Sequence, residues 1–292
     1  MTTDSGQHDL DPHAILAALG FNGMAEATRV TGGADTAIWR VAHGRELYAL
    51  RVFRAEQAAT YQREIAAMHA ALAGGLPIPA IHLAGSWRDR PALLLGWCVG
   101  EPLLPVLQRQ PARIWQLGTQ FGRMQAAIHT IAPAPTPDLP PDGWIAWAGA
   151  DETALQARLR GVAAGAGQLL HLDYHPLNVM TDGRSMTAVL DWANAQVGDP
   201  RADVARSYAI LMVDPSLPRR PHVTAFRWLL ARAWQRGYEQ AAGPLGDMAL
   251  FYAWAGAVML RDLAPRAVRD GLRLDRVRRW TMARKRLAGI IA

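Results

Sequence analysis

The order of apolar and polar residues divides the chain into an alternating first third and a helical remainder. Residues 13–20 have the spacing of a short leading helix stopped at Gly20. Alternation predicts strands over residues 27–31, 37–41 and 47–53, with His43-Gly44 as a hairpin turn. A helix follows over residues 55–73. Its apolar positions Tyr61, Ile65, Met68 and Leu72 stand at i, i+4, i+7 and i+11, and Glu64 borders that face. Gly74-Gly75 ends the helix, and Pro77-Ile78-Pro79 opens an extended segment. Two more strands are expected at residues 81–87 and 92–97, joined by the charged turn Arg88-Asp89-Arg90. Five strands and one main helix make a small sheet-bearing lobe.

Helical spacing then takes over. Residues 111–131 place Ile114, Leu117, Phe121, Met124, Ile128 and Ile131 along one side, and His129 on this helix reads as structural. Residues 132–142 form a stiff proline-rich loop, residues 143–150 carry Trp144 and Trp147, and a helix is predicted over 151–163. Beyond residue 203 the pattern predicts helices at 204–213, 225–241, 245–263 and 266–288. Trp228, Trp234, Tyr238, Tyr252 and Trp254 recur there at helical spacing, which assigns them to the core, with one or two left open to line a cleft.

Between these helical regions lies the stretch with the densest chemistry, Leu169 to Asp203. It reads Leu169-Leu170-His171-Leu172-Asp173-Tyr174-His175-Pro176-Leu177-Asn178-Val179-Met180, then a polar turn, then Ala188-Val189-Leu190-Asp191-Trp192 and Gly198-Asp199-Pro200. Val179-Met180 and Ala188–Leu190 read as the two strands of a hairpin, which brings Asn178 and Asp191 together at its open end. Two hard oxygen ligands with open positions suit Mg²⁺, which takes its other oxygens from water and substrate phosphates. Asp173 faces the same spot from the loop leading in, where a base for an attacking hydroxyl belongs.

Composition bounds the possibilities. The chain has 292 residues, half of them hydrophobic and 19% charged, enough for a large core in one large or two modest domains. A single cysteine, Cys98, rules out an intrachain disulfide and fits a reducing compartment. The polar, acidic start is unlike a signal peptide, and Met248–Leu260 is too short to span a membrane, so a cytoplasmic protein is expected. Of 31 basic residues only Lys285 is a lysine. The charge is uneven: residues 201–292 hold 17 basic against 7 acidic residues, a net +10, while the first 200 residues are at −4. Solvated helix faces account for such a basic third, and no nucleic-acid-binding motif accompanies it.

The spacing His171-x-Asp173, Asn178 and the later Asp191 is a kinase catalytic-loop pattern. With His175-Pro176 and Gly198-Asp199-Pro200-x-x-Asp203, it resembles the aminoglycoside phosphotransferase family, small-molecule kinases related to choline and homoserine kinases. The resemblance covers roughly residues 25–210 in matched order, and beyond them only the helical character agrees. It implies an α+β, bilobal, protein-kinase-like fold: a small antiparallel-sheet N-terminal lobe with one main helix over residues 1–96, and a mostly helical lobe over 97–292. It implies ATP and Mg²⁺ as cofactors and a hydroxyl-bearing small molecule, antibiotic or metabolite, as acceptor. It also implies roles: Asp173 as catalytic base, Asn178 and Asp191 as metal ligands, His171 and Asp203 as braces of the loop, and a supporting part for His175.

In the first lobe, Gly32-Gly33 between two strands can lie over phosphates, because glycine lets backbone N–H groups approach closely. Arg51 occupies the strand position where kinases carry a lysine on the α/β-phosphates, and no lysine precedes residue 285. Glu64 is its expected partner. Gly96-Trp97-Cys98 resembles the hinge whose backbone meets adenine, with Cys98 as an apolar wall. Asp191-Trp192-Ala193 replaces Asp-Phe-Gly, and neither a Gly-x-Gly-x-x-Gly loop nor Ala-Pro-Glu is present, which favours a small-molecule acceptor over a protein. Two other readings stand beside this one. A nucleotide-binding regulator without transfer activity is opposed by the presence of Asp173, Asn178 and Asp191. An arginine-rich nucleic-acid binder would show binding that weakens steeply with salt. The +10 segment weighs against a polycationic acceptor and leaves a neutral or anionic one open.

Overall fold

The computed structural model describes residues 10–30, 36–133, 138–163, 165, 167–218 and 220–291. The expected Gly32-Gly33 phosphate loop lies outside the described residues.

Helix α1 (Pro12–Ala18) opens the described chain, capped by the Asp11 side chain, which accepts from the His13 amide. Strands β1 (Glu26–Val30), β2 (Ala37–His43), β3 (Glu46–Val52), β4 (Ile81–Trp87) and β5 (Arg90–Gly96) form an antiparallel sheet in the order β1-β2-β3-β5-β4. Alternation sets its two faces. Trp39, Val41, Leu50, Val52, Ala92 and Leu94 pack with Ile15 and Leu16 of α1. Leu93 and Leu95 join the opposite cluster, together with Phe53 and with Tyr61, Ala67, Met68 and Ala71 of helix α2 (Ala58–Ala73).

The buried face of α2 is rotated from the expected one. Leu72 is 41% exposed, whereas Glu64 is 1% exposed and lies within the buried face. The small side chains of Ala67 and Ala71 let the helix close onto the sheet, and Arg51 of β3 supplies the charge that makes a buried Glu64 tolerable.

After β5 come β6 (Glu101–Pro102), α3 (Leu103–Arg109), α4 (Ile114–Ile128) and α5 (Thr153–Val162). The spacing had suggested one helix over residues 111–131. Instead Pro111–Arg113 is a separate 3₁₀ turn, and α3 was not expected at all. Then follow β7 (Gln168–Leu170), β8 (Val179–Thr181), β9 (Met186–Val189) and β10 (Gln196–Gly198). The chain closes with α6 (Pro200–Met212), α7 (Pro221–Ala242), α8 (Ala249–Asp270) and α9 (Asp275–Leu287). The expected hairpin is present: Val179 pairs Val189 and Met180 pairs Ala188. β10 pairs antiparallel with β7, so the segment after Asp191 returns beside the strand that leads to His171.

Two expectations for the later helices are corrected. The break placed between residues 263 and 266 does not occur. Pro265 sits inside α8 on its exposed side, and the helix ends at Gly271, whose φ of 66° is left-handed. Trp228, assigned to the core, is 58% exposed, while Trp234, Tyr238 and Trp254 are buried. Among the described residues no helix is long and apolar enough to cross a membrane.

Helices α4 and α7 cross backbone to backbone at glycines. A Cβ on Gly122 would stand 2.0 Å from the Trp234 carbonyl oxygen, and one on Gly237 would stand 2.0 Å from that of Thr119. Gly122→Ala must therefore push the helices apart, and we expect a loss of roughly 3 kcal/mol in denaturant unfolding. Gly161→Ala in α5, where nothing lies within 4 Å, is the control and should be neutral or slightly stabilising. Equal midpoints for the two variants would show that the crossing is not this close.

Candidate active site

The loop from β7 to β8 is held from beneath by one carboxylate. Asp203, in the first turn of α6, is fully buried. Its Oδ1 accepts from the Leu172 amide at 2.7 Å, and its Oδ2 accepts from the His171 amide at 3.2 Å. His129 Nε2 approaches the same Oδ2 at 2.9 Å, and His129 Nδ1 meets the Tyr238 hydroxyl at 2.7 Å. Burial alone would raise the Asp203 carboxyl. The His129 bond and charge, with the His171 amide, outweigh it and hold the group below its ordinary value. This clamp keeps Leu172 at a φ of 57°, a left-handed conformation that costs a branched side chain energy. Tyr174 anchors the other side, donating to the Phe121 carbonyl at 2.6 Å and stacking on the Phe121 ring.

Asp173 is thereby aimed upward. Its amide donates to His171 Nδ1 at 3.3 Å, and His171 Nε2 meets the Leu190 carbonyl at 3.0 Å, so the ring ties the loop to the end of β9. Asn178 Nδ2 donates to the Asp173 carbonyl oxygen at 3.0 Å and to its Oδ2 at 3.3 Å. That leaves Asn178 Oδ1 at the other end of the amide. The Asn178 carbonyl accepts from the Leu190 amide at 2.8 Å, which fixes Asn178 and Asp191 at the same end of the hairpin. His175 stands 3.8 Å from Asp173 Oδ1, and its Nδ1 accepts from the Leu177 amide. Burial lowers the basicity of His175 and the nearby Asp173 partly restores it.

Asp191 is itself left-handed, at φ 61° and ψ 70°, ahead of the 3₁₀ turn Trp192–Asn194. Trp192 is buried, donates to the Val189 carbonyl and packs on His171. The turn redirects Asp191 toward the sheet, where Arg51 Nη2 donates to its Oδ1 at 3.1 Å. Arg51 Nη1 meets Glu64 Oε1 at 2.5 Å, and Nε donates to Thr36 Oγ1 at 3.2 Å. Burial pushes the Glu64 carboxyl up to about 7, against the pull of Arg51; Asp191 adds to the push. The pair is a hydrogen-bonded ion pair at this separation. One guanidinium thus spans β3, α2 and the hairpin.

These groups line one cleft of about 900 Å³ between the sheet and the helical region, a volume that suits a nucleotide. Arg51, Glu64, Gly96, Cys98, Asp173, Asn178 and Asp191 all reach it. Gly32 and Gly33 fall outside the described residues. Ile38, Ala49, Met68, Leu95, Met180 and Leu190 give it apolar lining. Cys98 belongs to that lining, and burial raises its thiol. The Gly96 and Trp97 amides are already spent on the Ala80 and Leu47 carbonyls, at 2.8 and 3.0 Å. A base reading this segment therefore meets main-chain donors only from Cys98 onward. The reading from sequence missed Thr36 and Arg63, both of which line the cleft. It treated His129 as structural, and the geometry gives that structure a specific target, Asp203. No periodic signal marks Thr36. Arg63 was detectable only as the immediate neighbour of Glu64.

The donor set fits a divalent cation that keeps most of its shell. Asn178 Oδ1 and the partly exposed Asp191 carboxylate are hard oxygens, and among the described residues no cluster of three His, Cys, Asp or Glu forms an all-protein cage.

Comparison with known proteins gives the following. The model of the phosphotransferase enzyme family matches residues 26–165 and 148–244. No curated protein sequence matches the chain. Among solved structures, a thermostable mutant of aminoglycoside phosphotransferase APH(4)-Ia in its apo form superposes with a TM-score of 0.60 at 20% identity, over 92% of this chain and 94% of that one. Aminoglycoside-3'-phosphotransferase of type VIII gives 0.61 at 17% identity, over 83% and 96%. Spectinomycin phosphotransferase APH(9)-Ia, in complex with ADP and spectinomycin, gives 0.58 at 11% identity, over 94% and 95%.

The Asp203 clamp generates a prediction. Asp203→Asn should lower unfolding stability at pH 7 by about 3 kcal/mol, because a buried charged acceptor of several bonds is lost. The folded-state pKa of Asp203 lies below its ordinary 3.8, so its contribution is present above that value and is lost as pH falls through the folded value. Urea unfolding of both proteins should show the gap narrowing below about pH 4. A gap that stays constant with pH would remove the charge from the account.

Proposed function

The chain belongs to the phosphotransferase enzyme family, and on that premise we propose that it moves the γ-phosphoryl group of ATP, with Mg²⁺, to a hydroxyl of a small molecule. The observation that carries the reading is the convergence of Asp173, Asn178, Asp191 and the Arg51–Glu64 pair on one cleft. We place the division between the nucleotide-binding lobe and the catalytic lobe at residues 96 and 97, and the protein in the cytoplasm.

In this reading the nucleotide base lies against the apolar wall beside Gly96 and Cys98. Arg51 braces the α/β-phosphates, held in place by Glu64. Asn178 and Asp191 would hold Mg²⁺, which when bound offsets phosphate charge. Asp173 accepts a hydrogen bond from the acceptor hydroxyl, orients its oxygen toward the γ-phosphorus and takes up its proton as the new P–O bond forms and the bond from the γ-phosphorus to the β-phosphate oxygen breaks, releasing ADP. Asn178 Nδ2, 3.3 Å from Asp173 Oδ2, fixes the carboxylate so that its other oxygen faces the acceptor. His171 and the Asp203 clamp keep Asp173 aimed without touching substrate. Support for the nucleotide comes from relatives solved with AMP-PNP, ADP or GDP. Support for an antibiotic acceptor comes from the hygromycin B and spectinomycin in such complexes. The net +10 of residues 201–292 favours a neutral or anionic acceptor over a polycation.

The test is a panel of hydroxyl-bearing antibiotics and metabolites offered with ATP and Mg²⁺. Asp173→Asn should lower kcat by about 10²- to 10⁴-fold, with nucleotide affinity within twofold of wild type. Equal rates for the two proteins would refute the role of Asp173. A wild type that binds nucleotide yet phosphorylates nothing in the panel would favour the regulator reading. Arg51→Ala should weaken binding of Mg-ATP by about tenfold or more, the worth of a charge-assisted hydrogen bond. Unchanged affinity in equilibrium titration would contradict its phosphate contact.

A further inference from the structure

Two cationic side chains among the described residues line the cleft, Arg51 and Arg63. They differ in how they are engaged. Arg51 is gripped by Glu64 and Asp191. Arg63, beside Glu64 on α2, hydrogen-bonds no carboxylate among the described residues, and the Glu64 charge acts on it through space. Its Nε donates to the Ala193 carbonyl at 3.0 Å and its Nη2 reaches Thr60 Oγ1 at 3.4 Å. Both bonds fall on neutral oxygens, and the remaining guanidinium nitrogen, Nη1, donates to none of the described residues.

The location is informative. Ala193 is two residues past Asp191, so the Arg63 guanidinium sits beside the segment that carries one candidate metal ligand. Gly96 and Cys98 line the same cleft from the end of β5 and just beyond it. Arg63 is also half-buried, and burial lowers its basicity. A cation partly withdrawn from water, whose hydrogen bonds go to neutral oxygens and whose neighbouring carboxylate, Glu64, is gripped by Arg51, gains from an anion that completes its shell. A guanidinium with one edge tied to a backbone carbonyl presents its other edge in a fixed direction, the geometry that suits a phosphate oxygen.

We propose that Arg63 binds the terminal phosphate of the nucleotide and makes the site selective for a triphosphate over a diphosphate. This rests on the reading of the cleft as a nucleoside triphosphate site and adds a residue to it. Arg51 serves the inner phosphates. Arg63 serves the outer one, and its anchor on Ala193 couples that contact to the turn bearing Asp191. As γ-phosphoryl transfer proceeds, the same cation remains opposite the charge on the oxygens of the phosphoryl group in transit.

The experiment is equilibrium titration of the full chain with Mg-AMP-PNP and Mg-ADP, for wild type, Arg63→Gln and Arg63→Lys. For Arg63→Gln, affinity for Mg-AMP-PNP should fall by about tenfold or more, as expected for a lost charge-assisted contact. Affinity for Mg-ADP should stay within twofold. Arg63→Lys should recover part of the triphosphate affinity. A merely structural role would weaken both nucleotides together and lower the melting temperature. Equal losses for the two nucleotides, or none, would overturn the proposal while leaving the nucleotide site intact. A wild type that binds neither nucleotide would overturn this proposal and the reading beneath it.

Discussion

Asp203 is the constraint on which the site rests. A carboxylate without solvent contact is costly unless its lone pairs are filled. Here two loop amides and a histidine fill them. The return on that arrangement is conformational. Leu172 is kept in a left-handed conformation it would otherwise leave, and only from that conformation does the loop send Tyr174 down against Phe121 while Asp173 faces the cleft. His129 extends the clamp to Tyr238 of α7, so the close crossing of α4 and α7 becomes part of the catalytic loop's foundation. A packing feature of the helical core and the direction of one side chain in the cleft are thus one mechanical unit.

A second unit joins the sheet to the helical region. Arg51 touches Thr36, Glu64 and Asp191 through three different nitrogens. A lysine ammonium offers a single charged point, whereas the planar fork can hold two carboxylates at once and stay directed. In a chain whose sole lysine is Lys285, this is how arginine takes the strand position. Its ring contact with Phe53 adds a surface for the guanidinium plane. Asp191 meets this fork because it too is left-handed, with buried Trp192 as the wedge that holds the turn. Left-handed backbone at Leu172, just before Asp173, and at Asp191 is the pattern expected where surrounding packing over-determines a functional geometry.

Much of this could be read from the chain. Alternation placed all five strands of the sheet to within a few residues, because a half-exposed strand must repeat every second position. The hairpin was legible from two apolar runs and a polar turn, and it correctly put Asn178 beside Asp191. Elsewhere the local pattern misled. Apolar residues on α2 pointed to a face through Leu72, yet the helix buries Glu64, because the small Ala67 and Ala71 let that side close onto the sheet and Arg51 offsets part of the cost of burying the carboxylate. A break was expected between residues 263 and 266, but Pro265 lies on the exposed side of α8, where the carbonyl left without a donor faces solvent, and the helix runs on to Gly271. Trp228 was taken for core on spacing alone, and spacing says which residues share a face without saying which face is covered.

By itself, then, the sequence determined the periodic elements, their order and the motif whose spacing puts three oxygen donors near one hairpin end. Those properties depend on neighbours within a few residues, and local sterics and hydrogen bonding settle them. The tertiary structure alone decided that Asp203 answers to His129, that Arg51 bridges Glu64 and Asp191, and that Arg63 ties itself to Ala193. Each of these partnerships spans more than a dozen residues, and two of them more than a hundred. Which distant groups meet is fixed by how whole elements pack, and no spacing along the chain encodes that.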